Sequence, residues 1–344
     1  MKKHLSLLLI AIMVLSMTAC GSTSDSTDAE ATTEGTETTE TTETVETTDA
    51  EILYTIGVCQ LVEHDALDAA TQGFSDAIEA AFPGQVEIIV QTAQGESATC
   101  STIINGYVSS DVDLIMANAT AALQAAQAGT TTIPILGTSV TEYGVALGID
   151  DFDGMVGTNI SGTSDLAPLD EQAAMVQEWF PDAETVGLLY CSAEANSQYQ
   201  VDVVMAELEA LGYACELYPF TDSNDLASVT TSAVDANDVI YVPTDNTVAS
   251  NASIIYNICQ PAGVPVIAGE EGIASICGVA TLSIDYYDLG YATGEMAVAI
   301  LSGESDVTEM PIEYAPEFTA KYNATICEEL GLTVPDGYEA IETE

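Results

Sequence analysis

Few side chains in this chain could do chemistry, and most reaction types lack one of their parts. Histidine occurs twice, at His4 and His64; lysine occurs at positions 2, 3 and 321, and arginine is absent. His64 has no Cys or His companions at metal-ligand spacing, so no metal site is expected. There is no GxSxG elbow and no HExxH helix, and with His4 in a segment expected to be removed, His64 alone would serve as every base. Paired carboxylates could still do acid–base work, but nothing in the sequence fixes a pair. After Cys20 come Cys59, Cys100, Cys191, Cys215, Cys259, Cys277 and Cys327, widely spaced and without a CxxC pair. That pattern is neither a zinc site nor a disulfide framework, and it predicts mostly free thiols.

What remains is polar and suited to holding a solute. Amides, hydroxyls and carboxylates stand just beyond apolar runs, at Gln60, Asn118 with Thr120, Thr138 to Thr141, Asn159, Asn196 with Ser197, Thr244 to Asn246, and Glu270. Thr120 and Ala121 open a helix, and Ser164 with Asp165 precedes another, so backbone N–H groups there could receive an anion. Asp245, Glu270 and Asp285 are placed to meet a cation. Each also has a plainer reading, since Asp, Asn, Ser and Thr before helices are caps by default. His64 follows a strand end, where solute contact and helix-start packing are both open. Tyr286 and Tyr287 could stack on a ring or pack in the core.

The elements that must position these residues alternate. Strands at 55–60, 86–91, 113–118 and 133–137 are separated by helices at 64–82, 97–109 and 120–128. The pattern resumes with strand 155–159, helix 169–180, strand 185–190, helix 198–211, strand 213–218, helix 225–234, strand 238–242 and helix 247–260. Strands at 265–268 and 279–283, a long helix at 286–302 and a last helix near 319–330 complete it. Such alternation predicts right-handed βαβ units and parallel sheets covered on both faces. The expected fold is α/β, with two doubly wound parallel-sheet lobes, although an eight-fold barrel also fits the length. Ligands in open parallel sheets bind beyond the C-terminal strand ends, where the polar residues cluster.

Charge and the N-terminus set the context. Fifty-five acids against three cations give a formal charge of −52. Nucleic-acid binding, a P-loop, an arginine finger and an anionic membrane surface as partner are all excluded. Residues 1–19, with Lys2-Lys3 ahead of a short apolar run, read as a signal peptide. Met17-Thr-Ala-Cys20 resembles a bacterial lipobox, making Cys20 the expected lipidation site. Residues 20–51, rich in Thr and Glu, read as a disordered tether.

Seven ordered blocks carry a family resemblance. They are Ile56-Gly-Val-Cys-Gln60 with His64 to Phe74, Asn118-Ala-Thr120, Gly162-Thr-Ser-Asp165, Leu188 to Ser197, Pro243-Thr-Asp-Asn246, Gly269-Glu-Glu-Gly272 and Ile284 to Gly294. Together they resemble the ABC-transporter substrate-binding protein family, in particular its tryptophan- or tyrosine-type members. The resemblance implies a periplasmic-binding-protein-like molecule with several crossovers between two lobes, one of 52–160 plus 284–311 and one of 161–283 plus 312–344. It implies no enzyme and no cofactor, but capture of a small zwitterion, often an aromatic amino acid, and delivery to a membrane permease. Localisation would be the outer face of the cytoplasmic membrane. The ligand set it implies is Gln60, His64, Thr120, Ala121, Thr141, Ser164, Asp165, Asn196, Asp245, Asn246, Glu270 and Asp285. Without arginine, a solute carboxylate must be held by neutral donors. A sensory receptor lobe uses the same closure and is the alternative, with a surface hydrolase behind it. Closure is expected about strands near 159–162, 282–285 and 310–315.

Overall fold

The computed structural model describes residues 51–315 and 317–342. The expected signal peptide, Cys20 and the expected tether up to residue 50 lie outside these described residues.

Apolar runs of four to seven residues become strands because both sheet faces are covered, and the helices between them bury one stripe each. The chain begins β1 (Tyr54–Gln60), α1 (Asp65–Ala81), β2 (Val86–Thr92), α2 (Ser97–Ser109), β3 (Leu114–Asn118) and α3 (Thr120–Gly129). It continues with β4 (Ile135–Val140), α4 (Tyr143–Leu147) and β5 (Ile160–Ser164). Next come α5 (Leu169–Trp179), β6 (Thr185–Cys191), α6 (Ala195–Leu211), β7 (Ala214–Phe220) and α7 (Ser223–Val234). These lead to β8 (Val239–Val242), α8 (Asn246–Ala249), α9 (Ala252–Ala262), β9 (Val266–Ala268), α10 (Glu271–Ile276) and β10 (Ala280–Ser283). The last elements are α11 (Tyr286–Leu301), β11 (Glu313–Tyr314), β12 (Thr319–Tyr322), α12 (Ala324–Leu330) and β13 (Glu339–Ala340).

Two sheets result, with strand orders β11-β5-β4-β3-β1-β2 and β13-β12-β10-β9-β8-β6-β7. The first is parallel throughout; in the second only β12 runs antiparallel to its neighbour β10. Alternate side chains feed two core layers. In the first lobe Ile56, Val58, Leu114 and Met116 pack with Phe74, Ile78 and Met296, while Ile115 and Ile135 pack with Ile104, Tyr107 and Leu123. In the second, Val186, Leu188 and Tyr241 meet Val176, Val201 and Leu208, and Leu189, Ile240 and Val266 meet Leu226 and Ile255.

Helix α11 returns from the second sheet to the first and lies against α1. A Cβ at Gly290 would stand 2.0 Å from the Ala70 carbonyl oxygen, and one at Gly73 equally close to that of Tyr287. Glycine is required for that approach. The Thr163 and Thr293 hydroxyls, 2.8 Å apart, tie the same helix to β5.

The structure corrects several expectations. Residues 155–159 are not a strand: Gly157 has φ +69°, and β5 begins only at Ile160. The helix expected near 319–330 is a strand followed by a helix, because Asn323 caps α12 through Ile326 N–H. The expected helix 247–260 is two, α8 and α9. Residues 161–164 and 313–314, expected in the second lobe, pair as β5 with β11 in the first sheet.

Candidate functional site

The C-terminal strand ends of the two sheets face each other, and three chain segments cross between the sheets. Among the described residues these are 165–168 after β5, 284–285 after β10, and the link between β11 and β12 at 315 and 317–318. From the first sheet, His64, Ser139 and Thr141 reach a cavity between the lobes. Asp165 and Tyr286 line it from the crossings, and Asn196, Thr244, Asp245, Asn246 and Glu270 line it from the second sheet. About 10 Å³ of space remains, room for about one water, so any larger solute must hold the lobes further apart.

Among the described residues, one side-chain hydrogen bond spans the lobes directly. The Asn246 amide donates through Nδ2 to Glu194 Oε2 at 2.7 Å, leaving Oδ1 to accept from His64 Nε2 at 3.2 Å. Glu194 fixes that partner, since it also accepts from Asn246 N–H, Thr247 N–H and the Thr247 hydroxyl. Burial pushes the His64 imidazole below its usual range, and the neighbouring Asn246, Glu194 and Asp68 oppose the shift.

Asp165 is 5% exposed. Tyr286 donates its hydroxyl to Oδ2 at 3.0 Å, whereas Oδ1 has no hydrogen-bond partner. Burial raises its pKa, and the hydroxyls of Thr141 and Tyr286 work against that rise. Asp245 and Glu270 also lie buried, but their oxygens are spent on backbone N–H groups. Asp245 accepts from Val248 N–H and Cys191 N–H, and Glu270 from Gly272 N–H and Ile273 N–H. Burial raises both, Glu270 to about 7, with Glu194 adding to the rise at Asp245. No cation answers these carboxyls. Lys321, the sole lysine among the described residues, is bound to Glu271 at 2.7 Å and does not line the cavity.

Two features point to neutral donors. Helix α1 starts at the cavity without a side-chain cap, and its first-turn residues Ala66 and Leu67 line the space. Ser139 has φ +53°, is 6% exposed, and its hydroxyl has no partner. A non-glycine residue in that region costs on the order of 1–3 kcal/mol, a cost that concentrates at functional sites.

Seven of the twelve residues expected from the sequence therefore meet in one cavity: His64, Thr141, Asp165, Asn196, Asp245, Asn246 and Glu270. The other five do not line it. Gln60 spends its amide inside the first lobe, donating to Val62 O and Asp68 and accepting from Thr71. Thr120 is buried, and Ala121 packs against the hydrophobic core. Ser164 donates to Thr141 O and accepts from Leu166 N–H, a crossing-segment brace. Asp285 caps α11 through Asp288 N–H and lines a separate, open groove along the crossings that shares only Ala66, Glu270 and Tyr286 with the cleft. Glu194 was missed as a site residue, and Ser139 and Thr244 were marked only within the polar runs Thr138 to Thr141 and Thr244 to Asn246. The run Thr138 to Thr141 marked the neighbourhood of Ser139, but its backbone angle leaves no trace in the sequence.

Comparison with known proteins agrees with this geometry. Residues 55–342 match the family model described as ABC transporter substrate binding protein. A tyrosine-binding protein of Clostridioides difficile is 34% identical over 314 residues, spanning 90% of this chain and 87% of that one. The crystal structure of an ABC domain in complex with L-Trp from Streptococcus pneumoniae superposes with a TM-score of 0.79 at 30% identity, covering 84% of this chain and 99% of that one. The ligand-free, open structure of a substrate-binding protein with adhesive properties from Clostridium difficile gives a TM-score of only 0.65 at 37% identity, covering 85% and 100%. The better superposition on the less similar, ligand-bound chain matches the closed lobes seen here. Fold, cleft and sequence match together show that the chain belongs to the ABC transporter substrate-binding protein family.

Proposed function

We propose that this protein captures an aromatic amino acid in the cleft and hands it to the permease of an ABC importer. The observation that carries the reading is the pairing, in one buried cavity, of an unpartnered carboxylate oxygen on Asp165 with the uncapped start of α1. The first suits an ammonium and the second a carboxylate. His64, Thr141, Asn196, Asp245, Asn246 and Glu270 complete the ligand shell, joined by Ser139 and Tyr286. The names of the tyrosine-binding relative and the L-Trp complex support an aromatic side chain.

The lobes divide after Ser164, at 284–285 and between β11 and β12, and closure pivots on these crossings, so the solute shifts an open–closed balance. The family is extracytoplasmic, and no described helix is long and apolar enough to cross a membrane. Export by residues 1–19, lipidation at Cys20 and the acidic tether complete the reading as a surface lipoprotein without catalytic turnover. Calorimetry against the twenty amino acids tests it. Saturable one-to-one binding of Tyr or Trp is expected, and no heat with any aromatic amino acid refutes it.

A further inference from the structure

Resting on that reading, we infer that the cleft selects its solute by the ammonium group and tolerates loss of the carboxylate, so that arylalkylamines are ligands alongside aromatic amino acids. Three observations lead there. Asp165 Oδ1 is buried without a partner in the cavity, and a buried carboxylate is costly until a cation reaches it. Asp245 and Glu270 face the same cavity with their oxygens already taken by backbone N–H groups, so neither offers a further pairing site. Lys321, the only lysine among the described residues, is held by Glu271, so no protein cation pairs with Asp165.

A solute carboxylate therefore gains only from neutral donors, the N–H groups at the start of α1 and the Ser139 hydroxyl, and enters against like charge. When it is missing, water can satisfy those donors. The asymmetry is quantitative. Each hydrogen bond lost with the solute carboxylate costs about tenfold in affinity, partly offset because a carboxylate no longer enters beside Asp165, whereas leaving a buried carboxylate unpaired costs about a hundredfold or more.

The test is calorimetry on the full chain with three solutes that share one ring: L-tyrosine, tyramine and 3-(4-hydroxyphenyl)propionate, with L-tryptophan and tryptamine as a second series. The amines should bind within about tenfold of their parent amino acids, and the propionate at least about a hundredfold more weakly. Asp165→Asn should remove about a hundredfold for amino acid and amine alike, while the ligand-free melting temperature stays level or rises. Amino acids that bind while the amines fall more than a hundredfold behind would overturn the inference and leave the aromatic-amino-acid reading intact. A propionate equal to the amine, or wild-type affinity in Asp165→Asn, would also overturn it. Absence of binding by any of these solutes would take down both.

Discussion

Glu270 offers a prediction whose size follows from its surroundings. It is a buried carboxyl raised from 4.5 to about 7, chiefly by desolvation, and it caps α10 through two backbone N–H groups. Because the folded value lies above the unfolded one, the folded chain holds this proton more tightly. Its stabilisation is complete below pH 4.5 and is lost as pH rises through about 7. At about 1.4 kcal/mol per unit, the loss reaches about 3 kcal/mol by pH 8.5, of which about 1 kcal/mol is already felt at pH 5. Glu270→Gln removes the charge but keeps one oxygen for one of the two N–H groups, at a cost of about 1 kcal/mol. The substitution should be near neutral at pH 5 and stabilising by about 2 kcal/mol at pH 8.5. Urea unfolding of both proteins at the two pH values, without solute, reads this directly. An equal stability difference at both would refute the account of Glu270 as a charge forced into a dry cleft.

Three further outcomes follow from other residues. His64 is held neutral in the closed form by burial, so closure is supported above pH 6.5 and weakens as pH falls below it. His64→Gln keeps a donor for Asn246 and should bind up to about tenfold more tightly than wild type at pH 5.5 relative to pH 7.5, and a constant ratio would contradict the latch. Gly290→Ala must push α11 off α1 and should cost about 1–3 kcal/mol in thermal unfolding, where an ordinary helical site would gain from alanine. The seven described cysteines are free thiols, so titration in denaturant should find about seven, and two or fewer would exclude this arrangement.

Much of the fold was legible because each lobe repeats one unit. An apolar run of four to seven residues cannot be confused for long with a helix whose apolar stripe recurs every three or four positions. The failures are local. Met155 to Asn159 has strand-like residues, but the left-handed Gly157 breaks the run before β5. Thr319-Ala-Lys-Tyr322 reads as the approach to a helix, yet β10 supplies an open edge with which it pairs. Short helices such as α4 and α10 depend on single caps, Glu142 and Glu270, rather than on periodicity.

The site was legible as strand ends and no further. Which strand-end residue faces the opposite lobe depends on tertiary placement. Asp245 and Asn246 are adjacent, yet one caps a helix and the other bridges to His64. Gln60 looked equally exposed to a cleft, but α1 brings Asp68 and Thr71 over it. The missing arginine proved the most informative sequence feature, since it is why three buried carboxyls share a cavity with no protein cation.

The central claim is that the two lobes close on an aromatic amino acid. Small-angle scattering of the full chain, with and without saturating L-tyrosine or L-tryptophan, addresses it most directly. A smaller radius of gyration and a changed mid-angle profile on adding either solute are expected, and superimposable profiles with every aromatic amino acid would contradict it.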